Sequence, residues 1–335
     1  MTARMLVTGG AGFIGSNFIR YTLAHRPEYR IAVLDALTDQ TYARNLQEVA
    51  GRIDFHHGDV SEQCTVDRLI DRLGIDIVVH FAAESHNDHA HVYPERFART
   101  NIIGTLTLLE NARRTGVRLH HVSTDEVFGE LPLGSDELFD LSSPIRPLNY
   151  YSSSKASSEH FVRAAWKQFR IPVTLSNSTN NYGPFQHVEK VIPRQITDVL
   201  RGVRPRVHGS GRNVRDWIHV DDHCSAIHAV LDRGQHGETY LVGARNELSN
   251  IDLVREINSA MEMPDDWFEY TADRPHNDLR YAVDASRTRE ECGWEPVRTD
   301  FRAELMKVIA WYQENVAWWS AMKDESERNY QRLGR

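Results

Sequence analysis

The sequence is poor in the features that mark secreted, membrane-spanning or nucleic-acid-binding chains. Its three cysteines, Cys64, Cys224 and Cys292, form no CxxC pair and no even framework. That excludes a disulfide scaffold and points to a reducing compartment, with the thiols expected to be buried as small hydrophobes. No apolar run approaches the ~18 residues that a membrane span needs. The chain enters Met5-Leu6-Val7 without a basic region and a cleavable apolar segment, so a cytoplasmic location is expected. Positive charge is in deficit, 39 Lys and Arg against 47 Asp and Glu, and the net charge of -8 offers nothing to nucleic acid or an anionic membrane. Internal repeats and low-complexity segments are also lacking.

What is present suits a soluble globular protein, with 41% apolar and 26% charged residues. A length of 335 residues predicts one large domain with a smaller one. Short apolar runs at Met5–Thr8, Ile31–Asp35, Ile53–His57, Ile75–Phe81, Leu119–Ser123 and Val173–Asn177 predict strands. Between them, Phe13–Ala24, Thr65–Leu73, Phe97–Arg114 and Lys155–Phe169 read as amphipathic helices. The predicted fold class is α/β, a Rossmann-type doubly wound parallel sheet with a smaller C-terminal substrate-binding lobe. The large domain is expected over residues 1–180, with a return segment at about 214–242 containing Trp217–Leu231. The lobe is expected over 181–213 and 243–320, and the charged stretch 323–335 as a solvated tail. Trp311, Trp318 and Trp319 read as lobe packing.

Gly9-x-x-Gly12-x-x-Gly15 sits between the first strand and the first helix. Alone, the triplet would read as a turn. In this context the first glycine allows the turn, the second lets backbone approach a pyrophosphate, and the third lets helix pack on sheet. The helix N-terminus adds its positive dipole end. Asp35 closes the second strand, where a carboxylate accepts ribose hydroxyls and repels a 2′-phosphate, favouring NAD over NADP. Asp59, after the third strand, is a weaker candidate for adenine contact.

Tyr151 and Lys155 are four apart, one turn apart on a helix face. An ammonium beside a phenol lowers its pKa and makes it a base. Ser123-Thr124-Asp125-Glu126 closes the fifth apolar run. Adjacent residues on a regular strand face opposite ways, but at the carboxyl end, where the chain turns, Asp125 and Glu126 can converge on the ligand crevice. Two carboxyl groups in different surroundings can hold different protonation states, which elimination of water beside a ketone requires. By spacing alone, solvated loop acids would be as good a reading. His86-x-x-His89-x-His91 invites a metal, but no cysteine or clear fourth ligand accompanies it, so no metal is expected and a structural or substrate-contact role is preferred.

The strings TGGAGFIGSNF, HFAAESH, VSTDEVFG, YSSSKASSEH, NNYGP, EKVIP, RDWIHVDDH and DRPHNDLRYAVD, spanning positions 8 to 284, resemble the extended short-chain dehydrogenase/reductase family. Within it the resemblance is to dTDP-glucose 4,6-dehydratases, with VSTDEVFG the most discriminating string. It implies an NAD-dependent lyase that oxidises an NDP-glucose, with dTDP-glucose the first candidate, at carbon 4, eliminates water across carbons 5 and 6, and returns hydride to carbon 6. Tyr151 would take the 4-hydroxyl proton beside Lys155, with Thr124 bonding that oxygen; Glu126 would take the carbon-5 proton and Asp125 protonate the departing hydroxyl. The resemblance places Gly9, Gly12, Phe13, Ile14, Gly15, Asp35, Ala36, Leu37, Thr38, Asp59, Val60, Ala82, Ala83, Thr100, Tyr151, Lys155 and Asn181 at the cofactor. It places Ser85, Thr124, Asn180, Lys190, Val191, Arg206, His208, Arg215, Asn250, Arg274 and Asn277 at the substrate. Arg215 suits a diphosphate through its permanently charged fork. A homodimer through Phe97–Arg114 and Lys155–Phe169 is implied too.

The chain departs from that pattern in places. Asp39-Gln40-Thr41 looks inserted and Arg44 replaces a glycine; HVDRS becomes His86-Asn87-Asp88-His89-Ala90, losing an arginine; Asn277 replaces a histidine; and His208 stands where a tyrosine is common. UDP-sugars therefore stay open as substrates. So do a related epimerase or decarboxylase, and a non-catalytic NAD-binding regulator on the same fold.

Overall fold

The computed structural model describes residues 3–38, 41–273 and 278–332. A seven-stranded parallel sheet forms its centre, in the order β3-β2-β1-β4-β5-β6-β10. The strands are β1 (Arg4–Thr8), β2 (Arg30–Asp35), β3 (Ile53–His57), β4 (Ile77–His80), β5 (Arg118–Thr124), β6 (Val173–Ser178) and β10 (Thr239–Val242). This Rossmann-type order reverses direction between β1 and β4, which opens a crevice at the carboxyl ends of the strands.

Alternate residues of each strand feed two apolar layers. Leu6, Leu34, Val78 and Leu119 face one way, against Leu69 and Ile70 of α2 (Gln63–Leu73), Leu108 of α5 (Gly104–Thr115) and Val162 of α6 (Tyr150–Phe169). Met5, Val7, Val33 and Val79 face the other, against Phe18 and Ile19 of α1 (Phe13–His25) and Cys224 and Ile227 of α8 (Val220–Arg233). The helix read as Phe97–Arg114 is compound: after α3 (Asn87–Val92), α4 (Pro94–Phe97) leads through a wider turn at Ala98–Ile103 into α5. Two strands carry imidazoles into the sheet: His120 lies between the hydroxyls of Thr174 and Ser176, at 2.9 and 3.0 Å, and His80 between Thr8 and Thr105, at 2.7 and 3.1 Å.

The segment from Trp217 to Leu231 divides its loyalty. Its helix α8 covers the main sheet, but β9 (Val214–His219) pairs instead with β7 (Asn180–Tyr182) and β11 (Glu247–Ser249) in a separate three-stranded sheet. A second core gathers Tyr182, Trp217 and Trp319 with Ile192 of α7 (Val191–Leu200), Leu253 of α9 (Asn250–Ala260) and Val308 of α11 (Phe301–Glu314). Strands β8 (Arg206–His208) and β12 (Glu269–Thr271) pair beside it. By contrast α10 (Ser286–Cys292), expected in the lobe, packs on α8 and β10. Cys224 and Cys292 are buried as expected; Cys64 is exposed.

The charged stretch from Lys323 is not a solvated tail. It continues α12 (Val316–Arg332). Lys323 is 1% exposed and pairs with Asp198 at 2.6 Å and Glu327 at 3.1 Å. The helix has one buried side, which carries Trp319, Met322, Lys323, Ser326 and Tyr330 at three- and four-residue spacings. Removing one partner of a buried pair strands the other, so Lys323→Ala should lower the unfolding free energy by about 3 kcal/mol in urea titrations. Pairing Lys323→Met with Asp198→Leu should restore most of it.

Candidate functional site

The crevice at the switch point begins with the glycine turn. Gly9 has φ of 69° and a Cβ there would lie 2.5 Å from the backbone nitrogen of Ala82. A Cβ on Gly15 would lie 2.3 Å from the Gly9 carbonyl. Gly12 caps α1 without any side-chain hydrogen bond, so the helix end presents backbone alone. Asp35 is buried, accepting the Ala11 N–H at 2.9 Å and the Leu37 N–H at 2.8 Å. Burial raises its pKa, against those two N–H groups. A carboxylate has about four acceptor positions, so ribose hydroxyls can still be received. The bare helix end, the Cβ-free cradle and this carboxylate fit a dinucleotide.

The same crevice is walled by Phe13, Ile14, Ala36, Thr38, Asp59, Val60, Ala82, Ala83, Thr100, Tyr151, Lys155 and Asn181, with Gly9, Gly12, Gly15 and Asp35. Leu37 is the exception among the expected residues. Its φ is 50°, and its side chain packs against the core on the α1 side. Thr41 and Gln186 join the wall without having been expected; no motif marks either.

A second crevice opens from the first, and Ser85, Glu126, Asn180 and Lys190 line both. Its walls include Val191, Arg206, His208, Arg215 and Asn250 as expected. Arg274 and Asn277 lie outside the described residues. Four cations, Lys190, Arg194, Arg206 and Arg215, converge here, which suits an anionic ligand despite the acidic chain. The Arg215 guanidinium lies 4.4 Å from the ring centre of Tyr281. Arg194 lies 3.7 Å from that of Tyr330. Arg194, Trp217, Asp278, Tyr281 and Tyr330 were not anticipated. Arg194 directly follows the EKVIP string, a signal that could have found it, whereas Tyr330 sat in a stretch whose charge masked it.

The chemical groups meet where β5 ends. Thr124 caps the short turn Asp125–Phe128, accepting the Glu126 N–H at 3.3 Å. That turn separates the two acids, so they do not converge on the crevice as expected and only Glu126 faces it. Asp125 is 0% exposed and lines neither crevice; Oδ1 accepts the Thr124 hydroxyl at 3.2 Å, and Oδ2 has no hydrogen-bond partner among the described residues. Burial, then Glu126 and Asp216, hold its pKa well above the ordinary carboxylate value. Glu126 faces both crevices, with the Asn149 amide 3.5 Å from Oε2. Its pKa is also raised, by burial and then by Asp278, while Arg215, Asn149 and Lys190 pull it down. Burial thus pushes both acids towards the protonated form, Glu126 against the pull of Arg215 and Lys190.

Tyr151 lies in the first turn of α6, whose start is set by Asn149: its side chain accepts the Ser152 N–H at 2.8 Å and its own N–H reaches the Ser152 hydroxyl at 3.2 Å. The phenol differs from expectation. Its pKa is raised, by burial first and then by Glu126 and Asp125, with only the Thr124 hydrogen bond opposing. Lys155 donates to the Val122 carbonyl at 2.7 Å rather than touching the phenol, and burial lowers its pKa to about 8. Desolvation outweighs the neighbouring charge that the four-residue spacing suggested.

A sequence profile described as GDP-mannose 4,6 dehydratase matches residues 6–307. The dTDP-glucose 4,6-dehydratase of Mycolicibacterium smegmatis is 49% identical over 331 residues, covering 99% of each chain. The crystal structure of dTDP-glucose 4,6-dehydratase from Bacillus anthracis, in complex with NAD, superposes with a TM-score of 0.89 at 38% identity, over 96% of this chain and 99% of that one. The Streptomyces venezuelae enzyme of the same name, also solved with NAD, gives 0.91 at 40%, over 95% and 99%. The chain belongs to the GDP-mannose 4,6 dehydratase family, among extended short-chain dehydrogenase/reductases, and its relatives named here are dTDP-glucose 4,6-dehydratases.

The buried lysine yields a pH-resolved prediction. Its folded pKa of about 8 lies below the ~10.4 of a free lysine, so the ammonium opposes folding below pH 8 and this cost fades between the two values. Lys155→Met should therefore raise the unfolding free energy at pH 7 by about 1–2 kcal/mol. The advantage over the parent should disappear as pH rises towards 10, followed by thermal melting.

Proposed function

We propose that this chain is an NAD-dependent nucleotide-sugar 4,6-dehydratase that converts dTDP-glucose to the 4-keto-6-deoxy sugar. The observation that carries this reading is the arrangement at the end of β5, a fully buried Asp125 whose pKa is raised by that burial, beside a crevice-facing Glu126. A protonated acid and an accessible base on adjacent residues supply both proton transfers that elimination of water needs. An epimerase or decarboxylase has no use for both.

NAD, when bound, would supply the hydride acceptor that oxidation at carbon 4 needs and the hydride donor that reduction at carbon 6 needs. Gly9, Gly12 and Gly15 leave room for its pyrophosphate, and Asp35 holds its adenosine ribose. Lys190, Arg206 and Arg215 hold the nucleotide diphosphate of the substrate. Tyr151 takes the proton from the 4-hydroxyl, with Thr124 hydrogen-bonded between phenol and Asp125. Once carbon 4 is a ketone the carbon-5 proton is acidic, and Glu126 removes it. Asp125, which lines neither crevice, gives its proton to the Thr124 hydroxyl it is bonded to, and Thr124, which does line the crevice, passes its own proton to the hydroxyl that leaves carbon 6 as water.

We also propose a cytoplasmic homodimer. No helix of the described residues is long and apolar enough to cross a membrane. Val162 and Ala165 of the expected helix face pack inside the chain. Phe161 and Phe169, however, are 42% and 50% exposed on α6, and Ile103, just ahead of α5, is 48% exposed. Their contact with a second copy would build a four-helix bundle. Phe161→Glu should then halve the mass measured by sedimentation without unfolding the chain.

The experiment on the reaction uses dTDP-glucose. Glu126→Gln should allow NADH absorbance to rise on substrate addition but give no product lighter by water. Unchanged product formation by both Asp125→Asn and Glu126→Gln would remove the assigned roles. A product of unchanged mass would indicate an epimerase, and loss of carbon dioxide a decarboxylase.

A further inference from the structure

His86 and Glu189 line the second crevice, and His89 approaches them from outside it. His86 immediately precedes α3, His89 lies within it, and Glu189 stands two residues ahead of α7. One ring nitrogen of each histidine and one Glu189 oxygen all lie within 4.8 Å of one another. His86 Nε2 is 3.3 Å from Glu189 Oε2, with both side chains 8% exposed. The two imidazole rings are 4.6 Å apart. Glu189 is itself held in place: its backbone N–H donates to His187 Nδ1 at 3.3 Å, and His187 Nε2 meets the Tyr42 hydroxyl at 3.3 Å.

We propose that His86, His89 and Glu189 form a binding site for a divalent transition metal, zinc being the best match. Two imidazole nitrogens and one carboxylate oxygen make a borderline ligand set with a fourth position left for water, which suits zinc or cobalt and not the all-oxygen shells of magnesium and calcium. Tetrahedral bonds of about 2.1 Å put neighbouring ligand atoms roughly 3.4 Å apart. The His86–Glu189 pair already has that spacing, and His89 closes the remainder by side-chain rotation. The ion takes the place of the proton between His86 and Glu189, which is released. The sequence signal was incomplete because the third ligand stands about a hundred residues from the histidines and only the fold delivers it.

The site would also act as a staple. Lys190, next to Glu189, donates to the Ser85 carbonyl at 3.0 Å, so an ion at His86 and His89 adds a second tie between the same two segments. Binding to the folded state alone should raise the melting temperature.

The test uses the full chain, stripped of metal, titrated with cobalt(II) as the probe and zinc as competitor. We expect one cobalt per chain with the intense visible absorption of a four-coordinate ion, displaced by zinc, and a melting temperature raised by zinc. His89 lines neither crevice, so His89→Ala should keep the parent's metal-free turnover while losing tenfold or more in cobalt affinity and the zinc-dependent rise in melting temperature. Glu189→Gln should lower the affinity similarly. Cys64, the exposed thiol, is the rival ligand, and Cys64→Ser should leave the spectrum unchanged. Absence of the cobalt spectrum, equal affinity in His89→Ala, or its loss in Cys64→Ser would each overturn the site.

Discussion

The single turn that closes β5 is the constraint on which the chemistry rests. Had the strand run straight on, Asp125 and Glu126 would have pointed to opposite sides of the sheet. The turn, fixed by the Thr124 hydroxyl on the Glu126 amide, sends one carboxyl beneath the crevice floor and the other into its opening. The difference in burial then becomes a difference in proton affinity. Sheet topology decides where this turn stands: β5 neighbours β4 and β6, so the pair emerges beside the glycine turn and under Tyr151. Three distant stretches of sequence thereby face one small volume.

The surrounding charge is arranged in the same spirit. Burial acts towards neutrality on Asp125, Glu126, Tyr151 and Lys155 alike, raising the carboxyls and the phenol and lowering the lysine. Each departs from its water value towards neutrality, because a low-dielectric floor disfavours charge of either sign. Arginines are the exception that keeps the crevice cationic, since their guanidinium does not surrender its proton. The cationic side of the crevice and the side holding the acid pair are thus distinct in chemistry as well as in position.

Much of this was legible in the sequence, for identifiable reasons. Strand–helix alternation and the glycine spacing announce the sheet and its dinucleotide crevice, because both depend on local residue order. Thr124, Asp125, Glu126, Tyr151 and Lys155 lie in two short strings and were read together. What escaped depends on distance. Tyr330 reaches the substrate crevice only because α12 packs on α7 through Lys323 and Asp198, and a charge-rich stretch conceals the apolar side that makes it a helix. The Lys155–phenol relation failed for a similar reason: spacing shows that two groups share a helix face, not how deeply both are buried or that the Val122 carbonyl claims the ammonium. Leu37 likewise turned from the crevice because its positive φ redirects its side chain.

The placement of Tyr330 has a consequence for the order in which this enzyme comes into being. The acid pair Asp125 and Glu126, the glycine turn and Tyr151 all leave the ribosome long before α12 does. A nascent chain can therefore assemble its reactive centre while one wall of the sugar-nucleotide compartment is still unmade. A fragment clipped ahead of Tyr330 would keep the acid pair and the glycine turn but lack the ring that stacks on Arg194 in the wall of the second crevice.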